Sequence, residues 1–383
     1  MSDFLLFIEK DHALNKVALP LRRSMRAAQD SVLERCYGSF GELTKQVLDD
    51  LKLNVVVPPS WMELSVDVTK RLPYKDLYNK CIELQQTSKL PDHAIATTLT
   101  AVCDRLQLLT AFSEPDSVIQ LIEQKVEGKV ASLPKKASDI ERGRNPGDVI
   151  DPYILAAAQY LLYAGSFDKT ISAAVSHKAL MILEDLVGHL HEDVIGWMRG
   201  NVRIPEPRGK DQEKLDMQAN PFPGADLMQP PSEGRSIPRF HQVKNKTGSA
   251  KGGDGKRLGL QLQLLQDTYG GEIFYTALIG NTLKGHRSKA GVLAVAPSVA
   301  VLVGAASFEE LTGCTIGPQL LLKVYRSAFM DMARKSGYDI EEVSSQIVGV
   351  FSSRSNGTSS GGFLESLLIE TISGPRGQQD TRY

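Results

Sequence analysis

The chain has 383 residues, of which 42% are hydrophobic and 23% charged. At roughly 100–200 residues per domain this is enough for two domains or one large elaborated one, and enough to bury a core without disulfide or metal staples. With 44 Lys and Arg against 45 Asp and Glu, the formal net charge is -1, which excludes a chain-wide basic field; any surface for nucleic acid must be local.

The opening MSDFLLFIEKDH has an apolar patch too short, and too soon followed by charge, for a signal peptide. No run of about 18 apolar residues occurs, so no membrane span is expected. Four scattered cysteines, Cys36, Cys81, Cys103 and Cys314, form no CxxC or zinc-knuckle spacing and fit a reducing cytoplasm. Residues 1 to about 130 read as helical. In Ser39–Leu53 and Ala94–Phe112 apolar residues recur three and four apart, and Pro58-Pro59 divides the region. A polar connector follows over Lys129–Asp148. Asp151 and Pro152 suit the start of a helix, and a second helix is expected from about Lys169 to Arg199. Its apolar stripe is Leu183, Leu186, Val187, Leu190 and Val194.

Seven prolines between residues 200 and 240 then end the helical pattern. Beyond them the sequence predicts a strand at Arg239–Asn245, a Gly-rich loop, a helix at Lys256–Thr268 and a strand at Glu272–Gly280. A basic loop is expected over Asn281–Gly291, one or two apolar strands over Val292–Gly304, and a helix over Pro318–Ser336. Strands alternating with helices imply an α/β core. The division expected is a helical region over 1–145, for DNA binding or dimerisation, and an α/β unit over 146–383 ending in a Ser/Gly-rich tail.

The chemistry concentrates in NPFPGADLMQPPSEGRSIPRFHQVKNKTGSAKGGDG, residues 220–255. Residues i and i+2 of a strand share a face, so Gln242 and Lys244 point together while Val243 faces the core. Paired as a hairpin, the two segments bring Asp226 to the same strand end. Phosphodiester hydrolysis calls for a divalent cation to neutralise phosphate charge and acidify a water. Magnesium takes hard oxygen ligands, here the Asp226 carboxylate, the Gln242 amide oxygen and the Val243 carbonyl, with Lys244 placed to stabilise the phosphate or orient the attacking water. The plainer alternatives make Asp226 a turn residue and put Gln242 and Lys244 on the solvated face of an edge strand.

The pattern PGAD…QVK resembles the PD-(D/E)XK nuclease superfamily of restriction endonucleases, junction resolvases and related enzymes. The resemblance covers about residues 170–310. It implies a restriction-endonuclease-like mixed sheet flanked by helices, with Asp226, Gln242 and Lys244 as the catalytic centre and Mg²⁺, or Mn²⁺ in its place, as cofactor. The sequence departs from the pattern in two places: Ala225 precedes Asp226, with Pro223 displaced, and Gln242 fills the acidic slot, which resembles a minority variant. The family often adds a carboxylate from the preceding helix. Glu184 is the best match, ahead of Asp185, Glu192 and Asp193.

From Arg235 to Lys289 ten Lys or Arg stand against three acids. Lys246, Lys251 and Lys256 flank the Gly-rich segment, whose backbone N–H groups suit an anion. Lys284, His286, Arg287 and Lys289 lie in the basic loop. The expected function is that of a type II restriction enzyme, a cytoplasmic homodimer on double-stranded DNA with no membrane role. The rivals are a nuclease of transposition, repair or junction resolution, and a non-catalytic nucleic-acid-binding protein such as a viral nucleoprotein.

Overall fold

The computed structural model describes residues 15–87, 92–130, 152–205, 215, 217, 220–232, 234–246, 255–280, 287–336, 345, 364 and 368. It is a mixed α/β structure whose sheet has five strands in chain order: β1 (Val202–Arg203), β2 (Leu227–Gln229), β3 (Arg239–Lys246), β4 (Glu272–Ile279) and β5 (Ala300–Val303). β1 pairs with β2 and β2 with β3 in antiparallel fashion, whereas β3, β4 and β5 are parallel to one another. Parallel neighbours need a crossover, and helices supply both: Gly255–Tyr269 between β3 and β4, and Arg287–Val295 between β4 and β5. The interior strand β4 is buried over most of its length, as its largely apolar run EIFYTALI requires.

The chain divides into two compact units, residues 1–120 with 188–327, and 121–187 with 328–383. The first contains the sheet. Among the described residues five α-helices precede residue 112: α1 (Asn15–Asp30), α2 (Leu33–Cys36), α3 (Phe40–Asp50), α4 (Tyr74–Cys81) and α5 (Asp92–Ala111). They build a core of their own around Phe40, Leu43, Val47, Trp61, Leu77 and Leu106. The entry to α3 is fixed locally. Ser39 accepts the Glu42 N–H at 3.1 Å, and the Glu42 carboxylate accepts the Gly38 N–H at 2.6 Å; caps of this kind contribute about 1 kcal/mol. Helix α1 instead joins the sheet core, where Leu21, Met25 and Ala28 pack with Val202, Met228, Phe240 and Tyr275.

Between the units' bounds run α6 (Pro115–Val130), α7 (Pro152–Leu161) and the 30-residue α8 (Phe167–Gly196). The second unit buries Ile122, Leu155 and Ile171, and exposes Tyr153, Ile154, Tyr160 and Leu161 on α7. The expected stripe on α8 holds at Leu186, Leu190 and Val194, but Leu183 is 40% exposed. Past the sheet come α11 (Ala305–Thr312) and α12 (Gly317–Ser336), the crossover helices being α9 and α10 in the same order. Among the described residues no helix is long and apolar enough to cross a membrane.

Two expectations are corrected. Residues 287–291 of the basic loop and 292–295 of the apolar run belong to α10, so a single short strand, Ala300–Val303, remains where one or two were expected. The reason is a glycine seam. A Cβ on Gly255 would lie 2.5 Å from the Ser288 carbonyl oxygen, and one on Gly259 would lie 2.9 Å from that of Val292. The two crossover helices therefore meet backbone to backbone, and an apolar GVLAV segment that reads as a strand in isolation is held as helix by that contact. Gly255, expected in an anion-binding loop, is instead buried packing; residues 247–254 lie outside the described set.

Substituting Gly259→Val should push the two helices apart and lower stability by roughly 1–3 kcal/mol, the usual cost of overpacking. Urea unfolding reads this directly, and an unchanged midpoint would mean the seam is not tight.

Candidate active site

A Pro-rich turn delivers Asp226 to the sheet. Gly224 adopts φ +75°, a conformation open to glycine, and a side chain there would press on Leu258 at 3.0 Å. Phe222 anchors the turn by packing against Phe240 and Tyr269, with ring centroids 6.2 and 5.5 Å away. The Tyr269 hydroxyl donates to the Pro221 carbonyl at 2.9 Å. Antiparallel pairing then sets Leu227 opposite His241 and so brings Asp226 beside Gln242.

Asp226 is 9% exposed, and its carboxylate takes donors from β3. Its Oδ2 accepts the Val243 N–H at 2.7 Å and the Gln242 side-chain amide. The Asp226 N–H donates to the His241 carbonyl at 2.8 Å, and its own carbonyl accepts from Ile204 N at 2.9 Å. The Gln242 amide nitrogen also lies 3.5 Å from the Val243 carbonyl oxygen. Strand β3 is interior, between β2 and β4, and Gln242 is buried. Asp226, Gln242 and Val243 are thus brought together, and Lys244, half-buried, lines the same cleft.

That cleft has a volume of about 280 Å³, and its polar lining includes Glu192, Asp226, Gln242, Lys244, Arg257 and Gln261. Glu184 is exposed on the part of α8 that belongs to the second unit, and the α8 carboxylate lining this cleft is Glu192, two turns further on. Arg257 and Gln261 were not singled out in the sequence, although their spacing of four puts them on one face of α9. Lys256 is exposed at the start of α9 and Lys289 half-buried on α10. Lys246 closes β3 and Arg287 opens α10, while Lys251, Lys284 and His286 lie outside the described residues.

The cleft's charged lining is two carboxylates, Glu192 and Asp226, and two cations, Lys244 and Arg257. Gln242 turns its amide nitrogen toward Asp226 Oδ2 and the Val243 carbonyl, and among the described residues no three His, Cys, Asp or Glu side chains gather as a ligand group. On the other face of β3, His241 is fully buried, stacked on Phe274 at 4.9 Å, and neither ring nitrogen has a hydrogen-bond partner. Burial, with Arg239 and Arg235 nearby, pushes its pKa down to about 3. His191, whose Nδ1 lies 2.9 Å from the Tyr325 hydroxyl, is held down to about 4 by burial.

No protein-family model and no curated protein sequence matches the chain.

Both histidines stay neutral in the fold but take up protons near pH 6.5 when unfolded. Their contribution is therefore complete above pH 6.5 and is lost as pH falls toward 3–4, by up to about 1.4 kcal/mol per pH unit for each histidine. Urea unfolding at pH 7.5 and 5.0 should show the loss, and His241→Leu should remove about one histidine's share of the slope. An unaltered slope in that variant would show that His241 is not held neutral.

Proposed function

We propose that the chain is a magnesium-dependent DNA endonuclease of the PD-(D/E)XK type, with Mn²⁺ able to substitute, working as a cytoplasmic type II restriction enzyme on double-stranded DNA and as a homodimer. The observation that carries the reading is the Asp226 cluster: a buried carboxylate held by Gln242 and the Val243 N–H on the adjacent strand, with Lys244 lining the same cleft. The element order supports it: the resemblance implies helix, hairpin, helix and strand, and α8, the β2–β3 pair, α9 and β4 follow one another in that order. Positive side chains on both crossover helices, Lys256, Arg257 and Lys289, suit a phosphate backbone near the cleft.

A bound magnesium ion would supply charge to the scissile phosphate and a more acidic water. Asp226, Gln242, the Val243 carbonyl and Glu192 are the oxygens that would hold it. Lys244 stabilises charge building on the phosphate oxygens or orients the attacking water. Arg257 and Gln261 complete the wall that positions the strand. The neutral amide at Gln242 leaves little formal charge beside Asp226, which makes the second carboxylate, Glu192, important to the reading.

Incubation of plasmid DNA with the protein should give discrete fragments in Mg²⁺ and none in EDTA. Asp226→Ala and Lys244→Ala should each lower cutting by at least ~10²-fold while a mobility-shift assay still registers DNA binding. Normal cutting by Asp226→Ala would move the active site elsewhere, and binding without any cutting by the wild type would favour the nucleoprotein class.

Neutralising Lys284, Arg287 and Lys289 together should weaken DNA binding and lower the slope of log K against log salt by about one unit for each phosphate that is no longer neutralised. A slope equal to wild type would remove these residues from the DNA surface.

A further inference from the structure

A second cavity, of about 280 Å³, lies within the first unit and shares no lining residue with the Asp226 cleft. The turn after β2, helix α2 and helix α11 contribute to its walls. Four cations line it, Lys70, Arg199, Arg235 and Arg239, and three of them are committed. Lys70 pairs with Glu34 and Asp67, and Arg239 with Glu272 and Glu310. Arg199 donates to the Leu109 and Ser31 carbonyls and lies 5.8 Å from the centre of the Tyr37 ring. Arg235 is the exception. Its Nη2 donates to the Pro230 carbonyl at 2.8 Å, and its Nη1 reaches the Gln229 side-chain oxygen only at 3.5 Å. Among the described residues no carboxylate stands within ion-pair distance of it.

The turn that carries Arg235 is rigid. Ser232 and Arg235 exchange backbone hydrogen bonds at 2.9 and 3.0 Å, and Gly234 between them takes φ +79°. The Pro231 carbonyl accepts the Gln29 side-chain amide of α1 at 2.8 Å. A guanidinium held this way loses little further freedom when a ligand docks on it. Half-buried and near the Arg239 charge, Arg235 is held below its ordinary pKa, while Glu310 and Glu272 act the other way from longer range. A brace for the turn needs a donor but no charge, since both of its partners are neutral oxygens. We propose that this cavity binds a small organic anion whose carboxylate or phosphate group docks on Arg235. The planar fork of a guanidinium suits either group. Glu309 of α11 is exposed in the same lining and makes no ion pair among the described residues, which favours a ligand with a single anionic end. The site does not depend on the nuclease reading.

The experiment is calorimetric titration of the full chain with inorganic phosphate and, separately, with lactate. Ionic strength is held constant with chloride, and the melting temperature is read in parallel. Saturable binding of at least one probe at millimolar concentration is expected, with a matching rise in melting temperature. The probe that binds tells a phosphate end from a carboxylate end. Arg235→Gln should weaken binding by about tenfold or more, the usual share of a hydrogen-bonded charge. Lys244→Gln, in the other cleft, should bind as wild type does. An affinity unchanged by Arg235→Gln, a signal that Lys244→Gln removes, or no binding of either probe at about 20 mM overturns the proposal. Should Arg235→Gln fail to fold, Ser232→Phe fills the cavity beside an intact Arg235 and should abolish binding; unchanged binding by that variant overturns the proposal equally. None of these readouts involves DNA cleavage, so the nuclease reading stands or falls separately.

Discussion

A carboxylate withdrawn from water must find donors, and Asp226 finds them on the neighbouring strand. The Gln242 amide and the Val243 N–H both point at one of its oxygens. This arrangement fixes the register of β2 on β3, since a slip of one residue would exchange the faces of Leu227 and Asp226 and take the carboxylate away from Gln242 and the Val243 N–H. The rest of the cleft follows from that register. The turn at Gly224, the aromatic group of Phe222, Phe240 and Tyr269, and the contact of Arg203 with the Asp226 carbonyl all act on the same few residues. Two buried polar side chains that would weaken an interior strand singly satisfy each other as a pair.

The sequence was most legible where periodicity and local chemistry agree. The helices over 40–50 and 92–111, the strands at 239–246 and 272–279 and the helix that joins them stand close to the expected bounds. Their spacing patterns are long enough to outweigh any single residue. The alternation around Gln242-Val243-Lys244 likewise put the two polar side chains together. Two features were hidden for physical reasons. The segment around Val292 is apolar and β-branched, a strand signal, yet it is helical because glycines let α10 lie against α9. Glu192 lines the cleft because β1 sets Arg203 against the last turns of α8, a matter of tertiary packing that no stripe encodes.

The N-terminal helices are not a single appended module. Most of them close a core around Trp61, whose indole N–H donates to the Glu83 carboxylate at 2.8 Å. Helix α1 departs from that group and contributes Leu21, Met25 and Ala28 to the sheet's own core, while the Gln29 amide donates to the Pro231 carbonyl at 2.8 Å. The residues just after β2 are thereby tied to a segment 202 positions earlier. The sheet layer of this unit is therefore assembled from both ends of its sequence, and the loop closure this requires favours slow folding over fast.

The glycine seam between α9 and α10 also bears on how such a chain can change over evolutionary time. Gly255, Gly259 and Gly291 each sit where a single added carbon collides with main-chain atoms of the facing helix. No rotamer change relieves a collision with backbone, so these positions cannot drift one at a time unless the helices move apart. Residues lining the cleft answer to whatever the protein acts on and are free to diverge with it. The three glycines answer only to geometry. Their separations of four and thirty-two positions are accordingly a more durable signature for distant relatives than the Asp226 and Gln242 pattern itself.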